Sequence, residues 1–392
     1  MTGASLVTRR PLPATRYPPL HACRSTPGIL AALAGFLLKV QALNTASLPL
    51  VSRPICGAGL GLGLDAGGTQ TRWAVADASG AVQRQGQVAG ISALQLQDDG
   101  GRASVAAALA EIAAAAGPVQ AVVAGLTGFD AAQQPALHER LAIAFGVQAC
   151  AVQAMSDIEL LCHAAFAPGD GYVVYAGTGS IAAFIDAQGV LQRAGGRGAV
   201  IDDAGGGHWI AREALRHIWR AEDSAPGAWR QSPLARRVFE RLGGSDWAQT
   251  RQWVYCASAS RGEMGTLAVA VAAVADEDPA ALAILQAAGT ELARLAAALV
   301  QRFGARPVVL SGRVFELHPI IQLRLEQALP AGMSIHRLMQ AAHVEGARMA
   351  AGTAARTAAR TDARTAARTA VSTAAKTPTA PAARTTTRGK AP

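Results

Sequence analysis

The chain has 392 residues and a net charge of +9, with 51% hydrophobic but only 5% aromatic residues, which is length enough for two or three domains and a sizeable core. Its charge lies at the ends: residues 1–56 hold six basic residues and no acid, residues 353–392 hold eight against Asp362, and the stretch between is mildly acidic. That balance argues against a nucleic-acid-binding face on the core, and the absence of lysine between Lys39 and Lys376 excludes lysine from its chemistry.

In chain order, residues 1–56 read as a disordered leader that takes no part in the fold, consistent with a misplaced start site. Their one apolar run, 29–38, is too short to span a membrane. The spacing then predicts strands at 60–65, 72–77, 81–88, 119–124 and 148–153, with helices at 102–116, 133–145 and 156–165. A second set follows: strands at 171–176, 180–185 and 189–194, then helices at 206–220, 228–242, 249–256, 264–275 and 279–303. A strand at 307–311, a helix at 314–328, a short strand at 333–336 and a helix at 340–351 complete it. Three strands followed by helix and strand alternation therefore occur twice, which predicts two similar α/β halves facing across a cleft, 57–165 and 166–352. From residue 353 the Thr-Ala-Ala-Arg repeats contain almost no bulky apolar residue, and a disordered tail is expected over 353–392.

Each half opens with a glycine-rich turn between two strands. In the first, Leu60, Leu62 and Leu64 alternate with glycines up to Asp65, a strand-end carboxylate placed to hold Mg²⁺ directly or through water. Gly67 and Gly68 let backbone N–H groups approach a phosphate, and Thr69 and Thr71 add hydroxyl donors. Because Arg72 to Asp77 resumes a strand, this is neither a P-loop nor a dinucleotide fingerprint, both of which need a helix next. The second turn is Gly177-Thr178-Gly179-Ser180, and the pair reads as two opposed phosphate clamps. The strand Val308 to Ser311 runs into Gly312, where the backbone opens for a base or ribose.

These motifs, in this order, resemble the actin-like sugar kinase/Hsp70 superfamily. More narrowly, over about residues 58–350, the chain resembles the N-acetylglucosamine kinase and BadF/BadG-type ATPase family. The resemblance implies two duplicated actin-like, ribonuclease H-like halves, ATP and Mg²⁺ as cofactors, and a small-molecule sugar as acceptor. It implies that closure of the halves excludes water, and it implies no nucleic-acid or membrane partner; a homodimer stays open. It makes Asp157 the base that accepts the sugar hydroxyl proton, although capping of the helix that follows is an equally local account. It places Gly196, Gly198 and Asp203, in the glycine-rich run 195–207, at the sugar hydroxyls. Asp130 either caps the next helix or shapes the sugar site.

The departures concern the acceptor. Gln70 stands where lysine is common, Ala204 where a glutamate often contacts an N-acetylated sugar, and the asparagine expected after the third strand is missing, with Ser92 as the available substitute. The expected function is phosphorylation of an amino sugar such as glucosamine or N-acetylglucosamine. The alternatives are an ATPase that activates a dehydratase or reductase, and a non-catalytic sugar- or ATP-binding relative. The first needs cysteine ligands for an iron–sulfur cluster, whereas the five cysteines form no C-x-x-C pair and no metal-ligand spacing. Scattered cysteines fit a reducing cytoplasm, and Cys150 and Cys162 read as buried small hydrophobes. His163, His208 and His217 have no companion at zinc-ligand spacing and read as structural.

Overall fold

The computed structural model describes residues 59–375, apart from residues 131, 133 and 256–260. The expected leader, the distal tail from residue 376 and three of the cysteines, Cys23, Cys56 and Cys256, lie outside the described residues.

Two five-stranded sheets form the frame. The first contains β1 (Gly61–Ala66), β2 (Gln70–Ala76), β3 (Val82–Ala89), β4 (Ala121–Leu126) and β5 (Val152–Ser156), in the order β3-β2-β1-β4-β5. Between these strands run α1 (Asp99–Ala116) and α2 (Gln134–Phe145), and α3 (Asp157–Ala165) follows β5. The second sheet contains β6 (Tyr172–Ala176), β7 (Ser180–Ile185), β8 (Leu191–Gly195), β9 (Val308–Ser311) and β10 (Ile335–Arg337), in the order β10-β9-β6-β7-β8. In both sheets the first three strands are joined antiparallel and the last two add parallel to the first. The same strand order therefore occurs twice, and the duplicated α/β architecture expected from the sequence is present.

Helices fill the second half: α4 (Gly207–Ser224), α5 (Pro233–Leu242), α6 (Trp247–Tyr255), α7 (Arg261–Gly265), α8 (Leu267–Ala272), α9 (Pro279–Phe303) and α10 (Pro319–Ala328). Helix α9 is long and apolar enough to cross a membrane, but its Leu285, Leu292 and Leu299 are buried in the core of this half. Two expected helices break at prolines. Pro233 and Pro319 each take the first helical position after a cap, Ser232 and His318, because proline lacks the N–H that a helix interior needs. The strand expected at 148–153 begins at Val152, after a short 3₁₀ turn, and leaves Cys150 exposed rather than buried.

The last helix, α11 (Ala342–Ala375), is the largest departure from expectation. It leaves the second half and lies along β1, β2 and β4 of the first, so the first half is built from both ends of the segment. Strand β1 accepts it by carrying glycine on alternate positions. A Cβ at Gly61 would stand 2.0 Å from the Ala351 nitrogen, and one at Gly63 would stand 2.1 Å from the Ala347 nitrogen. On the opposite face Leu62 and Leu64 are buried against α1 and α2. Residues 353–375 are helical where a disordered tail is expected. Alanine and arginine are strong helix formers even without a core to bury, and Thr353, Thr357, Thr361 and Thr365 each satisfy their hydroxyl on the carbonyl four residues back. A third apolar cluster joins the halves, with Val123 and Leu161 meeting Val173, Ala183 and Ile185.

Candidate active site

Asp65 and Asp157 both sit at the carboxyl end of the first sheet, with β4 between them. Gly125 is the residue paired with Asp65 on one side and with Met155 on the other. A side chain at Gly125 would meet the Leu160 Cβ at 2.8 Å and the Asp157 Cα at 3.3 Å. Paired residues send their side chains to the same face, so the missing side chain lets Leu160 and the Asp157 backbone pack onto β4, which brings Asp157 close enough for its charge to act on Asp65. Burial, reinforced by the Asp157 charge and partly offset by Arg72, pushes the Asp65 carboxyl up to about 6. Two acids in one low-dielectric corner suit a divalent cation: Mg²⁺ at Asp65, completed by water and phosphate oxygens, would offset both the burial and the like charge.

Asp157 does not cap the helix it opens. Ser156 is the N-cap, and its hydroxyl accepts the Glu159 N–H at 3.2 Å. The Asp157 carboxylate accepts its neighbour Ile158 N–H at 2.9 Å and the Thr127 hydroxyl. Burial outweighs these bonds and raises its pKa above the ordinary carboxylate value. Such a group is oriented from two sides and basic enough to take a proton.

The first glycine turn leaves Gly68 and Thr69 exposed, with Gly67 donating its N–H to the Gln70 carbonyl at 3.1 Å. Thr71 differs from expectation: it is fully buried, and its hydroxyl accepts the Ile91 N–H at 3.0 Å, which ties the hairpin to the end of β3.

The second turn lies in front of the amino end of α4. The Gly207 and His208 N–H groups donate to the Gly177 and Thr178 carbonyls at 2.8 and 3.0 Å, so the positive end of the helix backs the turn and favours an anion there. Gly177, Thr178 and Gly179 keep partial exposure, whereas Ser180 is buried and donates to the Ala204 carbonyl at 2.7 Å. Gly312, at φ +100°, lies against this turn: a Cβ there would be 2.3 Å from the Ala176 carbonyl oxygen, so no other residue fits.

The glycine-rich run behaves differently from expectation at Asp203. It is the one non-glycine residue with positive φ among the described residues, at +56°. Its Oδ1 accepts the Gly198 N–H at 3.1 Å, and its Oδ2 would stand 2.4 Å from a Cβ on Gly179. Asp203 thus braces the loop carrying Gly196 and Gly198 against the phosphate turn. Ser92 spends its hydroxyl on the Thr127 carbonyl, at 3.2 Å, while capping a 3₁₀ turn, and Asp130 is exposed and closes a local turn with the Ala132 N–H. Cys162 is buried, and burial pushes its thiol up to about 12, far from a ligating thiolate.

Four residues at this site escape the motif reading: Arg72, Thr127, Tyr175 and Arg313. Tyr175 lies in the field of Asp157, Asp65, Arg313 and Arg72 at once, so the acids of one half and the turn of the other meet at its ring. Arg72 is detectable in retrospect as the residue opposite Asp65 in the hairpin, and Thr127 as the first residue beyond a buried strand.

Residues 62–376 match the BadF/BadG/BcrA/BcrD ATPase family. The chain belongs to this family. Among solved structures it is similar to a protein from Chromobacterium violaceum described as "Putative N-acetylglucosamine Kinase", at 25% identity and TM-score 0.59, covering 75% of this chain and 99% of that one. A second, similarly described, from Porphyromonas gingivalis, is 18% identical with TM-score 0.58 over 74% of this chain and 97% of its own length, and shows the fold alone. No curated protein matches this chain. The family is one of ATPases.

Proposed function

We propose that the chain is a kinase for an amino sugar such as glucosamine or N-acetylglucosamine. What carries the reading is Asp157: released from capping by Ser156, oriented by the Thr127 hydroxyl and raised in pKa by burial, beside an acid suited to Mg²⁺. MgATP would lie between the two glycine turns. The acceptor hydroxyl oxygen attacks the γ-phosphorus, the bond to the ADP oxygen breaks, and the hydroxyl proton passes to Asp157. Mg²⁺ held at Asp65 would supply charge neutralisation on the phosphates. The protein contributes position: the Gly67–Gly68 backbone on one wall, Gly177 to Gly179 backed by the α4 dipole on the other, and Gly312 beside the nucleoside. The reading includes a cytoplasmic location.

ADP release by the full chain with ATP, Mg²⁺ and, in turn, glucosamine, N-acetylglucosamine and glucose tests it. An amino sugar should stimulate turnover more than glucose. If ATP binds but no sugar stimulates turnover, the kinase reading is wrong.

A further inference from the structure

We infer that Arg72 and Arg313 form a phosphate clamp, one cation from each half, closing on the nucleotide's phosphates from opposite walls. This deepens the ATP-using reading of the site and rests on it. A nucleoside triphosphate remains anionic with Mg²⁺ bound, and it would enter a corner already holding Asp65 and Asp157. The usual counter-charge, a lysine, does not occur between Lys39 and Lys376.

The fold offers two arginines instead. Arg72 is the cross-strand partner of Asp65, so its side chain leaves β2 on the same face as the acid. Arg313 follows Gly312, which is pressed onto the second turn at the Ala176 carbonyl, and Ser311 before it pairs with Tyr175. The Tyr175 hydroxyl covers that turn, standing 2.6 Å from where a Cβ on Gly177 would be. Both arginines lie close enough to Tyr175 for their charges to act on it. Both are exposed. Among the described residues neither joins an ion pair, whereas Arg294, Arg216 and Arg337 each hold a carboxylate. An unpaired guanidinium presents planar donors that match phosphate oxygens two at a time.

Calorimetric titration of the full chain with MgATP and with adenosine, at two salt concentrations, tests the clamp in R72Q, R313Q and the double variant, with R72K and R313K as charge-keeping controls. Each glutamine variant should weaken MgATP about tenfold or more, as expected for a lost charge-assisted contact. Adenosine affinity should stay within twofold of wild type, and the salt dependence of ATP binding should flatten. Lysine should recover part of the loss. Unchanged MgATP affinity in the double variant overturns the clamp. So does an equal loss for adenosine, because the arginines would then serve the fold or the nucleoside pocket. A wild-type chain that binds adenosine but gains nothing from the phosphates also overturns it, and one that binds neither overturns the ATP reading and the clamp with it.

Discussion

Asp65 and Asp157 lie on either side of β4 at Gly125, and burial, reinforced by the charge of Asp157, raises the pKa of Asp65. The two acids thereby have different tasks open to them: one relieved by a cation, the other held by Thr127 for a proton.

Asp157→Asn keeps the shape and removes the basicity. Turnover should fall by about 10²–10⁴-fold, the usual worth of a general base, while MgATP affinity is kept. In the wild type, kcat/KM should fall as pH drops through the Asp157 pKa, and that fall should begin above the range of an ordinary carboxylate because burial raises the group. A pH–rate series on both proteins checks the pair of outcomes.

Gly63→Ala places a methyl 2.1 Å from the Ala347 nitrogen and the His343 carbonyl. Both are backbone atoms of α11, which cannot yield as a side chain does. A loss of about 3 kcal/mol or more is expected, at the severe end for an overpacked core. Denaturant melts measure it, and a melt within experimental error of wild type would show that the helix shifts freely on the strand.

His343 is buried at the start of α11 with its Nδ1 unpartnered, and burial, followed by the charge of Arg72, lowers its pKa to about 4. The unfolded histidine binds a proton near 6.5, so the unfolded state holds more protons between these values. Stability from this group is therefore complete above about pH 6.5 and is lost as pH falls toward about 4. Asp65, raised to about 6, works in the opposite direction over part of this window. The clean measurement is the difference between wild type and His343→Phe: the variant should gain about 1–2 kcal/mol relative to wild type on going from pH 7 to pH 4.5, allowing for solvent screening.

Ending the chain at residue 355 removes the exposed residues 356–367 and should leave the melting temperature unchanged, whereas ending it at residue 352 also removes Ala354, which is buried against Gly59. A loss of about 1 kcal/mol is expected for the second cut from the small apolar area involved. Thermal melts of the two truncations separate the anchored turn from the free one.

The duplicated strand order and both glycine turns were legible in the chain because they are local. Alternation of Leu62 and Leu64 with Gly61 and Gly63 already specifies a strand with one face for a core and one for close approach. Helix α11 continues past residue 352 on alanine's intrinsic helix preference, which needs no bulky apolar residues to bury.

What the order of residues could not reveal is which polar groups remain free to act. Thr71, Ser180 and Ser92 have the composition of ligand contacts, yet each spends its hydroxyl on backbone. Asp203 braces a loop, whereas Asp157 is freed by the serine beside it. Hydrogen-bond partners 20 to 35 residues away decide this, and so does the pairing of strands that puts Arg72 opposite Asp65. Strand type and turn type follow from near neighbours along the chain. The charge and availability of a side chain follow from neighbours in space, and those exist only once the two halves and the returning helix have packed.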